Sequence, residues 1–177
     1  MLKDIKNFIT KLINHTNDDE EVDFDNQNIK VSNYSYLLTR AVVPDIPELE
    51  KLPKIVYSPQ IQLSEKQIEQ EIQNHKQSLF LVVRHNDALI AAVTCHVDKV
   101  QNDILRIHWL GVSKKFRNRG IAKKMVETVI RKGKQMKLRG VKVALYPDDK
   151  YSHHLFSETG FSPSKISNDY RYIFKKD

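Results

Sequence analysis

LGVSKKFRNRGIAKKM, residues 110–125, is the stretch on which the reading of this chain turns. Its opening residues finish an apolar run, 104–112, dense in the β-branched and aromatic side chains that favour strands. After it Ile121, Met125 and Val129 recur at i, i+4, i+8, the spacing of one helix face. Between strand and helix lies Arg117-x-x-Gly120-x-Ala122 in a basic loop. The first backbone N–H groups of a helix have no internal partner and sit at the positive end of its dipole. They bind phosphate if no side chain blocks the approach, and Gly120 and Ala122 leave that space.

Charge is concentrated in the same place. From 114 to 142 there are twelve basic residues against Glu127 alone, a local surplus of +11 in a chain whose net charge is +7, so the remainder carries −4. One anionic site fits this better than a basic coat, although part of a lysine-rich helix is simply a solvated face. The segment lacks interleaved aromatics, which argues against a nucleic-acid binder.

Outward from this point the chain reads as a mixed α/β sheet. Upstream, 79–84 and 88–97 form a hairpin across the turn residues His85, Asn86 and Asp87. Ser64 and Gln67 make a capping box opening a helix to about Gln77, and Asp45 with Glu48 suggests another after Pro44, stopped by Pro53. Residues 34–43 are β-rich. Downstream, Gly140 should end the helical stretch, 141–146 be a strand, 152–159 a helix closed by Gly160, and 170–174 a last strand. The helix between 112 and 141 is a crossover, so the strands it joins should lie parallel. Residues 1–16 carry Leu2, Ile5, Phe8, Ile9, Leu12 and Ile13 at helical spacing, and the acidic, polar 17–33 reads as a linker to a domain over 34–177.

With 177 residues the chain suits one domain with an appendage. No apolar run approaches the ~20 residues that span a bilayer, and no export signal is visible, so a cytoplasmic protein without membrane contact is expected. Cys95 is the single cysteine and should be a small buried hydrophobe. No His, Asp or Glu spacing suggests a metal, and no Gly-x-Ser-x-Gly elbow or Walker lysine is present.

Residues 110–122, the strand order, and Leu155-Phe156-Ser157-Glu158-Thr159-Gly160-Phe161 together resemble the GNAT acyltransferase superfamily. The resemblance implies a mostly antiparallel central sheet with a splayed parallel strand pair and flanking helices. It also implies acetyl-CoA as cosubstrate and direct transfer to an amine of a small molecule, peptide or protein N-terminus. Backbone groups of Leu110, Gly111 and Val112 would pair with the pantetheine arm, and Arg117, Asn118, Arg119, Gly120, Ile121 and Ala122 would hold the pyrophosphate. The amides of Leu110 and Gly111 would polarise the thioester. His108 stands in the slot where relatives often carry a basic glutamate, and an imidazole of ordinary pKa near 6.5 is a competent base. Phe156 falls beside the cofactor in a slot that often holds tyrosine, so that position supplies no hydroxyl, with Tyr146, Tyr151, Ser152 and Ser157 nearby. Asp149 stands where Asn is common, bringing an extra anion close to CoA. With Thr94 opposite His108, alternation would put Thr94, His96, Arg106 and His108 on one polar face. Pro147, Asp148, Asp149 and the acidic linker favour a cationic acceptor. Phe156 and the missing glutamate motivate a second reading, an acyl-CoA sensor without turnover. Dimerisation through the first helix or the last strand stays open.

Overall fold

The computed structural model describes residues 24–57, 64–75, 77–164 and 169–174. The helix expected over 1–16 and most of the acidic stretch lie outside them. The strands are β1 (Gln27–Val31), β2 (Tyr34–Arg40), β3 (Lys54–Tyr57), β4 (Ser78–His85), β5 (Ala88–Val97), β6 (Ile104–Val112), β7 (Gly140–Ala144), β8 (Ser162–Pro163) and β9 (Asp169–Ile173). The helices are α1 (Ile46–Lys51), α2 (Glu65–Gln73), α3 (Ile121–Gln135) and α4 (Lys150–Glu158). They build one sheet in the order β1-β2-β4-β5-β6-β7-β9-β8, with β3 attached to β6.

Sequence chemistry accounts for most of these elements. Asn86 and Asp87 both adopt positive φ, 48° and 65°, which the tight hairpin between β4 and β5 requires. Ser64 caps α2 as expected, its hydroxyl accepting from the Gln67 N–H while the Gln67 side chain accepts from the Ser64 N–H. Crossover α3 joins β6 to β7, which pair in parallel from Ile104↔Gly140 to Ile107↔Val143. Gly160 closes the turn after α4 at φ 90°.

α3 and α4 cover one face of the sheet. Ile121, Met125 and Val129 are fully buried there against Leu105, Ile107, Leu110 and Val112, each such burial contributing about 1.5–3 kcal/mol. α1 and α2 cover the other face, where Ile46, Leu49, Ile68 and Ile72 meet Phe80, Val82 and Trp109. Cys95 lies fully buried in the α3-side core, and burial pushes its thiol pKa well above the ordinary range.

Several expectations need correction. β1 lies within 17–33, with Phe24 packed in the core, so the end of that stretch is sheet and not linker. Asp45 and Glu48 do not make the expected capping box: Asp45 accepts from the Val42 N–H and pairs with Arg84, and Glu48 accepts from the Leu89 N–H. Gly140 begins a strand, the helix having ended at Gln135; a Cβ there would lie 2.2 Å from the Tyr172 carbonyl oxygen. Thr94 stands opposite Trp109, because the β5–β6 register slips between Thr94↔Trp109 and Cys95↔Ile107 and leaves His108 as an extra residue. This bulge breaks the alternation. Ile107 and Leu110 therefore face the same α3-side core, while Trp109 turns to the other face.

Candidate active site

The parallel pairing of β6 with β7 ends at Ile107↔Val143, and β6 continues to Val112. His108 is thus the first residue past the fork, and it is the bulged one. The residue is 7% exposed, and its ring stacks on that of His96 with centroids 3.7 Å apart. Neither ring nitrogen has a hydrogen-bond partner. Burial, followed by the proximity of His96 and Arg106, lowers the His108 pKa to about 3. The imidazole is therefore neutral at any ordinary pH, with an unused lone pair. Thr94 Oγ1 and Trp109 Nε1 are also buried without partners on this side of the sheet, and unmet polar groups gathered at one place favour a polar ligand. His96 Nδ1 lies 3.9 Å from the Glu71 carboxylate.

Below the fork the sheet is tied electrostatically. Asp98 accepts from Lys142 Nζ at 2.7 Å, from Arg106 Nε at 2.9 Å, and from the N–H groups of Val100 and Gln101. Those donors hold its carboxyl far below the usual range despite burial, which opposes them as the largest single influence.

Beyond Val112 the chain makes a short 3-10 turn, Lys114–Phe116, and enters α3 at Gly120. Gly120 has φ 84°, and no side chain caps the helix, so the N–H groups of its first turn are left for a ligand. A cleft of about 270 Å³ opens there, lined by Val112, Phe116, Arg117, Asn118, Gly120, Ile121, Ala122 and Lys123 on one side and Tyr151, His154, Leu155 and Glu158 of α4 on the other. Arg117 Nε donates to the Val112 carbonyl at 3.2 Å, which holds the guanidinium where β6 meets the cleft.

The other candidates divide. Arg119 does not line the cleft; its guanidinium lies over the rings of Phe116 and Tyr34 and donates to the Lys115 carbonyl. Phe156 is fully buried, edge-to-face with Phe161, and lines none of the cleft. Asp149 is the N-cap of α4, accepting from the Ser152 N–H at 3.0 Å and from its hydroxyl, so both residues are engaged in starting the helix. Tyr151 lines the cleft with its side chain half exposed. His153 Nε2–H donates to the Tyr146 carbonyl, so its Nδ1 accepts from the Tyr170 hydroxyl at 2.7 Å. Among the described residues no group of His, Cys, Asp and Glu could hold a metal, and no helix is long and apolar enough to cross a membrane.

Leu110, Gly111 and Val112 line up along the far half of β6, as expected, but the edge that faces the fork is taken. β5 pairs with one edge of β6 from Leu105 to Val112. The opposite edge carries β7 up to Ile107 and then β3, with Lys54↔Gly111, Val56↔Leu110 and Tyr57↔Trp109. Nothing in the sequence reading anticipated β3, although Ile55, Val56 and Tyr57 are strand formers.

The site thus combines a parallel strand pair that forks with an open cleft at the start of the helix that follows. The model of the Acetyltransferase (GNAT) family matches residues 45–161, and the chain belongs to that family. No curated protein matches the sequence. Among solved structures, the chain is similar to the GNAT domain of S. lividans PAT at 15% identity and TM-score 0.70, covering 86% of this chain and 99% of that one. It is similar to PaiA N-acetyltransferase from Thermoplasma acidophilum, solved in complex with coenzyme A, at 13% identity and TM-score 0.66, covering 78% and 97%. The ribosomal-protein-S18-alanine N-acetyltransferase from Escherichia coli aligns at 13% identity and TM-score 0.61, covering 73% and 79%.

Proposed function

We propose that the protein transfers the acetyl group of acetyl-CoA directly to a primary amine of a small molecule, peptide or protein N-terminus. The observation that carries this reading is the uncapped start of α3 beside Arg117, one short loop from the β6–β7 fork. The first-turn N–H groups of α3, with Arg117, Asn118 and Lys123, would take the pyrophosphate; backbone groups of Leu110, Gly111 and Val112 would run beside the pantetheine. A thioester carbonyl near the Leu110 and Gly111 amides would gain stabilisation as negative charge develops on its oxygen.

His108 would serve as the proton acceptor, within a narrow range of chemistry. With its pKa near 3 it cannot strip a proton from a free alkylammonium. It can orient a neutral amine through its lone pair and receive the proton as the C–N bond forms and the nitrogen becomes acidic. The thiolate is a fair leaving group, with an ordinary thiol pKa near 8.5, so the buried Phe156 need not be replaced by an acid. Exposed Asp148 beside the cleft-bearing α4 suits a cationic acceptor.

The first test is a thermal melt with acetyl-CoA, CoA and ATP. Ligand at ~100 times Kd adds about 2.7 kcal/mol, or roughly 5–10 °C for this size. A rise with both CoA compounds and none with ATP supports the reading, and an amine panel then follows CoA release. The alternative, an acyl-CoA sensor without turnover, draws on the absent hydroxyl at Phe156. Tight CoA binding with no transfer to any amine selects it.

A further inference from the structure

We propose that β3 is an internal competitor of acyl-CoA: the chain fills its own pantetheine edge with residues 54–57, and ligand binding displaces them. This rests on the acyl-CoA reading above and adds a means of regulating the same site. A strand has two hydrogen-bonding edges, and β6 between Trp109 and Gly111 uses one for β5 and the other for β3. The groups that a pantetheine arm would need are those already bonded to β3.

The course of the two chains is also the same. β3 runs antiparallel to β6, entering beside Gly111 and leaving beside Trp109. A linear ligand anchored by its phosphates at α3 has to run from the Val112 end of β6 back toward His108 to bring its far end to the fork. Gly111 lies close against the segment that leads into β3. A Cβ at this position would lie 2.8 Å from the Pro53 carbonyl oxygen and 3.2 Å from Leu52 Cδ2.

β3 is built to leave. It is four residues long, pairs only with β6 among the described strands, and carries a register shift between Lys54 and Val56. Short, irregular pairing of this kind opens more readily than the rest of a sheet. Its N-terminal end is tethered, because Leu52 is buried in the α1–α2 core. A displaced β3 therefore stays close enough to rebind. The apparent Kd for CoA is then the intrinsic value divided by the fraction of molecules with the edge free.

The test compares the unmodified full chain with Val56→Pro, which removes a backbone N–H from the pairing segment. Titration calorimetry is run with CoA and with adenosine 3′,5′-bisphosphate, which has no pantetheine. Val56→Pro should bind CoA about tenfold more tightly, the factor expected if a tenth of wild-type molecules are open, with no change for the bisphosphate. Hydrogen exchange on the unmodified chain gives an answer even if the variant does not fold. Saturating CoA should speed exchange at 54–57 while the amides of 109–111 stay protected. Unchanged protection at 54–57 under saturation, or equal CoA affinity in the two folded proteins, overturns the competitor and leaves the acyl-CoA reading intact. Absence of CoA binding by both folded proteins overturns the acyl-CoA reading and the competitor with it.

Discussion

The two halves of β6 belong to one strand and behave as different materials. From Leu105 to Ile107 the strand is paired on both sides in unbroken register, and the Asp98–Arg106–Lys142 cluster ties β5, β6 and β7 together at that level. From His108 onward a bulge turns the side chains over, β7 departs, and one edge is held by a four-residue strand. The first half is hydrogen-bonded for good; the second offers bonds that can be exchanged. A binding site in a sheet needs both, because an edge can open for a ligand only if its root does not open with it.

The contrast can be broken most severely at the root. Asp98→Ala leaves Lys142, whose side chain is 5% exposed, as a buried charge without its carboxylate. We expect a loss of about 3–5 kcal/mol, read as a lower urea midpoint with and without CoA. A loss below 1 kcal/mol would mean that the root is held by pairing alone. At the open end, Arg117→Ala removes a charged donor from the cleft and should weaken CoA binding about 10–100-fold, the worth of a charge-assisted hydrogen bond. The melting temperature without ligand should stay nearly constant. Equal losses of stability and affinity would make Arg117 part of the root.

The boundary residue has a pH signature. The folded pKa of His108 lies below its unfolded value, so the unfolded chain binds more protons between about pH 3 and 6.5. Stability is intact above about pH 6.5 and falls as pH drops through that window, by up to about 1.4 kcal/mol per pH unit for this group. His96, also lowered by burial, adds to the same decline. His108→Gln should flatten the curve of urea midpoint against pH between 6 and 4, and an unchanged curve would assign the decline to other groups. The smallest effect belongs to Arg119→Ala. With its guanidinium held over Phe116 and Tyr34, it should change CoA affinity by less than about threefold and cost about 0.5–1 kcal/mol of stability. A loss as large as that of Arg117→Ala would place Arg119 in the cleft.

The sheet and its helices were legible because their signals are local. The β4–β5 turn, the Ser64–Gln67 capping box and the face carrying Ile121, Met125 and Val129 each state their geometry within a few residues. The crossover followed from chain order and handedness. What was not legible depends on residues far apart. The bulge at His108 arises from a mismatch with Thr94 and Cys95 of another strand, so alternation alone set Thr94 opposite His108 and not Trp109. Arg117 and Arg119 look alike in the motif, and Tyr34, remote in sequence, helps separate them. β3 follows a proline and is only four residues long, and its partner lies across the sheet.

Cys95 brings a practical consequence. It is the single cysteine of the chain, fully buried, with its thiol held protonated. Thiolate is the reactive form, so the folded protein is silent toward disulfide reagents. A colorimetric count of free thiol during turnover would then register released CoA against a blank background. The same silence means that any slow rise in thiol signal without donor times the spontaneous unfolding of the sheet.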